Sequence, residues 1–358
     1  MTFNREQPYN DLPPLFPDKS HWETVDVYKQ LSNAHRALAE LKGRLSAIPN
    51  QKIFINTLTL QEAKDSSSIE NVFTTNDKLF KAFTSPNVSD PHTTEVLRYG
   101  ISLVSAFEMI KKKPEFTIDL IEKIYREIKD ETDGIRDHQV RVGNAFKTTY
   151  TPPCCKTVLV KKMANWFKYS NGDHPIDPLV KLAVLHYQFE AIHPFRDGNG
   201  RAGRVLNVLY LTAQHLIDEP VLYLSKYINE YKTKYYKHLQ NVTEKGDWET
   251  WIIYMLKAVE ETAGYTLDKV LAIISLFDDV KEKVQRSASD IYSYELIEVI
   301  FTQVYSKYAF LEERKIASRN TASKYLNRLV DLGILEKEKI RNEFIFKNVA
   351  LYDLFKND

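Results

Sequence analysis

The chain of 358 residues is poor in cysteine, with only Cys154 and Cys155, which are adjacent. Neighbouring thiols supply neither a disulfide framework nor the ligand set of a structural zinc site, so both classes of small stapled protein are excluded. The N-terminal segment lacks the apolar core of a signal peptide, and no apolar run approaches the roughly 20 residues that cross a bilayer. These absences predict a cytoplasmic protein without a membrane partner.

The chain also lacks an excess of positive over negative charge. The chain has 49 lysine and arginine residues against 48 aspartate and glutamate residues, which gives a formal net charge of +1. Proteins that attract nucleic acid through their overall field carry a clear positive excess. Any contact with DNA must therefore come from a local basic face.

Helical periodicity dominates what is present. The proline-rich first twenty residues are predicted to form an extended arm, after which apolar residues recur at spacings of three and four. Asp177 and Pro178 are typical of a helix cap and first turn, and this helix is expected to run to His193. Residues 205–211 are apolar on nearly all sides, which indicates a central helix. Further helices are predicted at 22–60, 94–110, 118–128, 228–243 and 248–263.

One stretch in this part of the chain has the pattern of β-structure. β-Branched residues at 140–144 and 158–160 flank Gly143-Asn144 and Pro152-Pro153, which predicts a β-hairpin. The predicted fold class is therefore mainly α, with one hairpin.

The segment from His193 to Arg204 reads H-P-F-R-D-G-N-G-R-A-G-R and joins two predicted helices, the second beginning near Ala202. Gly198 and Gly200 allow backbone N–H groups to approach a ligand closely, and the N-terminus of the second helix adds partial positive charge. This combination predicts a loop that binds phosphate.

Four side chains of this segment have the chemistry that nucleotide transfer needs. Arg201 and Arg204 can hold successive phosphates with their bidentate guanidinium groups. Asp197 offers a hard oxygen ligand of the kind that binds Mg²⁺ together with phosphates. His193 has an ordinary pKa near neutrality, so it is the expected general base. Each residue alone has a structural explanation, such as a turn or a surface ion pair, and the functional interpretation depends on their joint spacing.

The segment matches every fixed position of H-x-F-x-(D/E)-G-N-G-R-x-x-R, the signature of the Fic family, and the chain resembles that family. The resemblance implies a helical core with a β-hairpin flap. It also implies an enzyme that transfers AMP from ATP, with Mg²⁺, to a Ser, Thr or Tyr hydroxyl of a target protein or of the enzyme itself. Members that phosphorylate have lysine at the position of Gly200, so glycine favours AMP transfer. Relatives that use other nucleotides or phosphocholine remain as alternatives.

The resemblance implies a role for each residue of the loop. His193 would deprotonate the acceptor hydroxyl, Asp197 would hold Mg²⁺, and Phe195 would pack to set the loop. The residues implied to bind ATP are Gly198, Asn199 and Gly200 at the α-phosphate, Arg201 and Arg204 at the β- and γ-phosphates, and Tyr235 and Tyr236 at adenine.

Two further segments resemble the family outside the loop. Residues 134–153, with Arg136, resemble the flap that aligns a target segment by strand addition. Tyr235, Tyr236 and Leu239 resemble the residues that surround adenine. From the residues alone, the first segment is a hairpin with an exposed edge and the tyrosine pair is equally typical of a helical core.

A built-in inhibitory motif is implied by S-S-S-I-E-N. Many Fic proteins carry (S/T)-x-x-x-E-(G/N) on a helix, and Ser66, Glu70 and Asn71 match it. The glutamate would occupy Arg204 and compete with phosphate for the same guanidinium. The alternative is a serine-capped helix with an exposed glutamate in its first turn.

The C-terminal part resembles a winged helix-turn-helix, a frequent companion of Fic cores. A helix at 294–305, a turn, a second helix between 316 and 335, and short strands at 334–335 and 344–346 are predicted. Arg319, Lys324 and Arg328 form a modest basic stripe, but acidic residues nearly balance it, so DNA binding and a protein-docking or dimerising role both remain.

Three units are predicted overall. These are an N-terminal arm and helical region with the inhibitory motif (1–95), a Fic catalytic core (96–265), and a linker helix with the winged helix-turn-helix (266–358). The leading hypothesis is a self-inhibited protein adenylyltransferase. The alternatives are a DNA-binding regulator whose core senses nucleotide, and a hydrolase that removes AMP from targets.

Overall fold

A computed structural model describes residues 3–46, 48, 51–86, 89–144 and 146–356. The mainly α fold predicted from the sequence is confirmed, with two small antiparallel sheets. The helices are α1 (Val25–Ser46), α2 (Lys52–Ile69), α3 (Asn76–Thr84), α4 (Pro91–Lys112), α5 (Ile118–Lys129), α6 (Lys156–Asn171), α7 (Pro178–Ile192), α8 (Asn199–Ala213), α9 (Leu224–Glu230), α10 (Lys232–Lys245), α11 (Trp248–Ser287), α12 (Tyr294–Thr302), α13 (Tyr308–Glu313), α14 (Arg319–Asp331) and α15 (Val349–Asp353). The strands are β1 (Val142–Asn144), β2 (Lys147–Tyr150), β3 (Tyr305–Ser306), β4 (Leu335–Ile340) and β5 (Glu343–Asn348).

Helices α7 and α8 form the centre of the fold. Asp177 caps α7 by accepting a hydrogen bond from the Leu179 N–H at 2.8 Å, and Pro178 occupies the first turn, as predicted. Nearly all of α7 is buried, and α8 is buried continuously from Arg201 to Thr212. Because both helices pack on all sides, the loop that joins them is supported from behind by the core.

Helix α11 is 40 residues long and packs along α1. The sequence predicted a helix that ends near Ala263 and a passage to a separate unit at 278–286, but α11 continues through both. Its buried face carries on with Val270, Ile273, Val280 and Val284, whose spacing keeps one apolar stripe on the same side. None of the helices in the described residues is long and apolar enough to cross a membrane.

The hairpin is formed by β1 and β2, which pair Gly143 with Thr148. The prediction that residues 158–160 form its second strand is wrong, because they belong to α6. Leu159, Met163 and Trp166 are buried at spacings of four and three, which is the period of a helix and not of a strand. Residue 145, between the two strands in the sequence, lies outside the described residues.

The C-terminal part contains α12 to α15 around a sheet with the strand order β3-β5-β4, antiparallel throughout. The two strands predicted there are present, and both are longer than expected. The helix predicted at 294–305 ends at Thr302, because Tyr305 and Ser306 pair with β5 instead. The boundaries of the three predicted units stay a prediction.

This C-terminal part packs directly against α2 and α3. The Tyr305 hydroxyl donates a hydrogen bond to Asp77 at 2.6 Å, and Lys81 forms an ion pair with Glu338 at 2.7 Å. Helix α12 lies against α2. The segment between α2 and α3, which contains Glu70, is therefore held between the central helices and the C-terminal part.

Candidate active site

His193 marks the end of α7 and the start of the loop. It adopts a left-handed conformation with φ of 51°, and its Nδ1 lies 3.3 Å from the carbonyl oxygen of Glu190. An N–H at Nδ1 can donate to this carbonyl, which leaves Nε2 as a free acceptor. Burial lowers the pKa of His193 to about 4, with the nearby charge of Arg136 also opposing protonation. The imidazole is therefore neutral at physiological pH and can accept a proton.

The loop is shaped by its own side chains. Asn199 accepts a hydrogen bond from the Phe195 N–H at 2.8 Å and donates one to the Phe195 carbonyl at 2.9 Å. The Phe195 ring is fully buried and stacks on Tyr125 at 4.1 Å between centroids, with 5° between planes. Phe195 thus packs as the sequence predicted, and Asn199 fixes the backbone of the loop in this conformation.

The two glycines lie at the N-terminus of α8. The helix begins at Asn199 and not near Ala202, so the amides of its first turn are closer to the loop than predicted. Gly198 has φ of 73°, in the left-handed region that favours glycine. At Gly200, an added Cβ would collide with the carboxylate of Glu70 and lie 2.9 Å from Arg204 Nη1. The absence of a side chain there leaves room for both charged groups.

Asp197 and Arg201 are joined by a chain of ion pairs. Lys129 contacts Asp197 at 2.7 Å and Glu95 at 3.3 Å, and Glu95 contacts Arg201 at 2.6 Å. Burial opposes ionisation of Asp197, but the hydrogen bond and charge of Lys129 outweigh it and hold the pKa of this carboxyl below its usual value. Arg201 is only 2% exposed, so its partners fix the guanidinium in one place.

The residues present fit a magnesium ion held together with phosphates. The Asp197 side chain is 67% exposed, and its Oδ1 is oriented by the Gly198 N–H at 2.7 Å. Among the described residues there is no cluster of three or more metal-binding side chains. Mg²⁺ is commonly bound through one or two carboxylates, with phosphates and water completing its shell, so one accessible aspartate is sufficient.

Arg204 is occupied by the segment that matches the inhibitory motif. Its Nε donates to Ser66 Oγ at 2.8 Å, and its Nη2 donates to the Ser66 carbonyl at 2.8 Å and to Glu70 Oε1 at 2.9 Å. The arginine is 1% exposed, whereas the Glu70 side chain keeps 32% of its surface accessible. The Glu70 carboxylate thus occupies a guanidinium N–H group that a phosphate would otherwise use.

The conformation of the segment explains the residue types in the motif. Helix α2 ends at Ile69, and Asn71 adopts φ of 62°, a conformation that Asn and Gly accept more readily than other residues. The alternative in which these serines begin a helix is wrong, because they form the last turn of α2. Glu70 therefore projects from the C-terminal end of a helix.

The tyrosine pair is split between core and surface. Tyr235 is 1% exposed, and its hydroxyl lies 2.8 Å from His186 Nε2, so its ring is not accessible to adenine in this conformation. Tyr236 is 43% exposed, close enough to Glu70 and Arg204 for both charges to act on its hydroxyl. Leu239 packs partly buried against the core. An adenine-contacting role stays a prediction for Tyr236, and burial argues against it for Tyr235.

Arg136 connects the hairpin to the loop. It is 3% exposed and donates to the carbonyl oxygens of His193 at 2.9 Å, His138 at 2.8 Å and Pro153 at 2.8 Å. The Tyr150 hydroxyl adds a hydrogen bond of 2.8 Å to the carbonyl of Ala191 in α7. The base of the hairpin is thereby fixed relative to His193.

Sequence reasoning missed three ionisable residues of the site: Glu95, Lys129 and Glu190. The first two lie on α4 and α5, far along the chain from the loop, and no local pattern distinguishes them from surface charges. Glu190 had a signal, since a glutamate three residues before His193 on a helix of buried residues is unusual.

Three family models match the chain. The Fic/DOC family N-terminal model matches residues 28–108, and the Fic/DOC family model matches residues 115–211. A third, described as the C-terminal domain of a SoFic-like protein adenylyltransferase, matches residues 276–351. The loop and Glu70 both fall within matched regions.

Curated relatives carry the name protein adenylyltransferase Fic. The protein from Drosophila ananassae is 25% identical over 257 residues, which cover 68% of this chain and 47% of that protein. The protein from Drosophila willistoni is 28% identical over 178 residues, covering 48% of this chain and 33% of the relative. The chain therefore spans between a third and a half of the length of these two relatives.

Solved structures share the fold. A Fic family protein from Desulfovibrio desulfuricans aligns with a TM-score of 0.56 at 18% identity, over 90% of this chain and 96% of that one. A Fic domain-containing signalling protein from Bacteroides thetaiotaomicron aligns with a TM-score of 0.54 at 16% identity, over 66% and 94%. At these identities the similarity establishes the architecture alone.

Proposed function

The chain belongs to the Fic/DOC family, and from this we propose that it is a protein adenylyltransferase, which transfers AMP from ATP to a Ser, Thr or Tyr hydroxyl of a target protein. The observation that carries the proposal is the arrangement at the start of α8. Two buried arginines, Arg201 and Arg204, lie on α8 behind a loop with two glycines at the helix N-terminus, beside a neutral His193. This is a site for a chain of phosphates with a base next to it.

In the proposed reaction, Nε2 of His193 accepts the proton of the target hydroxyl as its oxygen attacks the α-phosphorus of ATP. The new bond joins that oxygen to phosphorus, the bond to the bridging oxygen of the β-phosphate breaks, and pyrophosphate leaves. The contact of Nδ1 with the Glu190 carbonyl supports this direction of proton transfer, because it orients the ring with Nε2 free.

Groups that already lie in the site would stabilise the negative charge of the phosphates. The N–H groups at the start of α8 would face the α-phosphate as negative charge builds on it, and the two arginines would hold the β- and γ-phosphates. Mg²⁺ bound through Asp197 would neutralise charge on the phosphates.

We further propose that Glu70 keeps the enzyme inactive in its resting state. Its carboxylate and the Ser66 oxygens together use Nε and Nη2 of Arg204, so a γ-phosphate must displace Glu70 to reach the guanidinium. Partial exposure of Glu70 supports a contact that can open, while Arg204 itself stays fixed.

Incubation with Mg²⁺ and ATP labelled at the α-phosphate tests both proposals. We expect weak labelling of the wild-type chain, strong labelling of the Glu70→Gly variant, and none when His193→Ala is added. ATP labelled at the γ-phosphate should leave no label on protein. No α-label in either the wild type or Glu70→Gly would contradict the transferase and favour a nucleotide-sensing regulator.

Removal of AMP from modified targets is a second candidate activity. The observation in its favour is that Glu70 remains partly exposed and is close enough to His193 for its charge to raise the pKa of that group. A hydrolase would lose activity in Glu70→Gly, whereas the transferase gains it. Incubation of both forms with AMP-modified protein, followed by measurement of released AMP, separates the two.

Two classes of partner are proposed for the C-terminal part. The first is DNA, bound through the basic stripe at Arg319, Lys324 and Arg328, and the second is a protein, such as another copy of the chain. A salt-dependent shift with duplex DNA would support the first, and a concentration-dependent dimer the second. The cytoplasmic location predicted from the sequence also remains a proposal.

A further inference from the structure

A group of buried polar side chains lies next to Ser66, the residue that holds Arg204, and the proposed reaction gives it no task. The group consists of Glu62 on α2, Tyr99 on α4 and Ser225 on α9, each at most 1% exposed. Burying polar groups is unfavourable unless they bond to one another, so their presence here requires a reason.

Glu62 is the centre of this group. Its Oε2 accepts a hydrogen bond from the Ser225 N–H at 2.8 Å. Its Oε1 accepts one from the Ser225 hydroxyl and one from the Tyr99 hydroxyl, the latter at 3.2 Å. Because donors from two other helices converge on this carboxyl, it has little freedom to move.

Tyr99 connects the carboxyl of Glu62 to Ser66. The two residues lie one turn apart on α2, so their side chains share a face of that helix. Burial raises the pKa of Tyr99, and a hydrogen bond between its hydroxyl and the Ser66 side chain opposes that rise. Since the Tyr99 hydroxyl donates its own hydrogen to Glu62, it accepts the hydrogen of the Ser66 hydroxyl.

Ser66 extends this series of hydrogen bonds to Arg204. The Ser66 Oγ accepts from Arg204 Nε at 2.8 Å, and the Ser66 carbonyl accepts from Nη2 at 2.8 Å. Every donor therefore points the same way, from Arg204 through Ser66 and Tyr99 to Glu62, and each bond polarises the next. Burial raises the pKa of Glu62, whereas the bonds from Ser225 and the charge of Arg204 lower it, so the two charged ends of the series attract each other.

We propose that Tyr99 and Glu62 are positioning residues, which act through Ser66 to hold the Arg204 guanidinium where the γ-phosphate of ATP binds. The inference rests on the proposed function, because it requires that phosphate at Arg204. Glu70 bonds to Nη2 from outside this series, so its departure leaves the contacts of Ser66 with the guanidinium in place.

The proposal makes the effect of the series specific to one phosphate. A guanidinium that can rotate must be ordered when its ligand binds, and the lost conformational entropy lowers affinity. Breaking the series should therefore weaken nucleotides that carry a γ-phosphate and spare those that lack it. A change that only loosens the fold should weaken both kinds alike.

The test is made in the Glu70→Gly variant, with either Tyr99→Phe or Glu62→Gln added. Tyr99→Phe removes the hydroxyl between Glu62 and Ser66, and Glu62→Gln keeps the shape of the side chain and removes its charge. The probes are ATP and ADP, each with a methylene group between the α- and β-phosphorus, which cannot transfer AMP. Their dissociation constants with Mg²⁺ are measured by calorimetry, and the ratio of the two reports the contribution of the γ-phosphate.

Tyr187→Phe in the same Glu70→Gly background is the matched control. Tyr187 is also a buried tyrosine, at 1% exposure, and its hydroxyl lies 2.9 Å from Thr243 Oγ1, outside the series. The control therefore loses a hydroxyl of the same kind without breaking the connection to Arg204.

We expect Tyr99→Phe and Glu62→Gln to weaken the ATP analogue by about 2- to 10-fold, the effect of losing one hydrogen bond, with the ADP analogue unchanged. The control should leave the ratio of the two analogues as it is in Glu70→Gly. Equal weakening of both analogues, or no change in either, would mean that Tyr99 and Glu62 only support the fold, and it would overturn the proposal.

The same measurement separates this inference from the proposed function. If Glu70→Gly itself binds the two analogues equally, the γ-phosphate does not reach Arg204, and this inference is wrong together with that assignment. If Glu70→Gly transfers no AMP but the two added variants still lower its preference for the ATP analogue, the transferase is wrong and the positioning of Arg204 is upheld.

Discussion

The loop from His193 to Arg204 and the segment from Ser66 to Asn71 meet at one guanidinium, but they are held in different ways. The backbone of the loop is held largely by its own residues: the Asn199 amide spans the Phe195 backbone, Gly198 takes the left-handed turn, and Arg136 adds a hydrogen bond to the His193 carbonyl. The segment from Ser66 to Asn71 has local backbone hydrogen bonds at the end of α2, but its position beside Arg204 also depends on distant parts of the chain. Arg204 holds it on one side, and the C-terminal part packs against α2 and α3 on either side of it.

This difference explains which part is rigid and which can move. A loop that satisfies its own hydrogen bonds keeps its shape when its ligand changes. A segment held by a few contacts between elements can leave when one of those contacts is outcompeted. We therefore expect substitutions in the loop to abolish transfer, and substitutions around the segment to increase it.

The largest effect is expected at the base. In the Glu70→Gly background, His193→Ala should lower the rate of AMP incorporation by about 10²- to 10⁴-fold, the range typical of general-base catalysis. Affinity for nucleotide and the thermal unfolding midpoint should change little, because the His193 side chain makes one hydrogen bond, to the Glu190 carbonyl in the last turn of α7. Retained transfer would show that another group accepts the proton.

The acid limb of activity is expected at unusually low pH. The neutral imidazole is the active form, and burial holds the pKa of His193 at about 4, so the base is lost only as the pH falls through that value. At pH 5.5 the Glu70→Gly variant should keep nearly all of its kcat/KM. An imidazole with the ordinary pKa of about 6.5 would leave only about a tenth of it at that pH. A midpoint near pH 6.5 would mean that His193 is more hydrated than its surroundings indicate.

Ser66 tests the contribution of the segment apart from Glu70. Ser66→Ala removes the hydrogen bond from Arg204 Nε but keeps the carbonyl and Glu70 contacts. Losing one such bond, at about 0.5–1.5 kcal/mol, should increase self-modification about 2- to 10-fold. The same change in Glu70→Gly provides the control, and an equal increase there would place the effect outside the inhibitory contact.

The smallest effect is expected from the C-terminal contact. Tyr305→Phe removes the hydroxyl that bonds Asp77 and should loosen α3, which follows Glu70 along the chain. We expect an increase in self-modification of about twofold or less, since the hydrogen bond lies a helix away from Arg204. No change in incorporation, with a lowered unfolding midpoint, would show that this contact stabilises the fold without acting on Glu70.

Sequence and structure agree best where the pattern is local. The cap at Asp177 and the all-round burial of α8 follow from neighbouring residues and were predicted from them, whereas the packing of Phe195 was implied by the family resemblance. The hairpin was misjudged because residues 158–160 have β-branched side chains but lie on a helix whose buried face is set by Leu159, Met163 and Trp166. The length of α11 was missed because its second half has charged residues on the exposed side.

The site was predictable in its loop and not in its surroundings. One short segment of the sequence contains His193, Asp197, Arg201 and Arg204, whereas Glu95 and Lys129 reach the loop only through the packing of α4 and α5. Tyr235 and Tyr236 are identical in type and consecutive, and only tertiary packing assigns one to the core and the other to the surface.

The central claim is that the carboxylate of Glu70 keeps phosphate from Arg204 in an otherwise complete site. The most direct measurement uses an ATP analogue with a methylene group between the α- and β-phosphorus, which cannot transfer AMP. The dissociation constant of its magnesium complex is compared between the wild type and Glu70→Gln, a variant that keeps the shape of the side chain and removes its charge. A hydrogen bond to a charged group contributes about 1.5–3 kcal/mol, so the variant should bind about 10- to 100-fold more tightly. Equal affinity in the two chains would contradict the account.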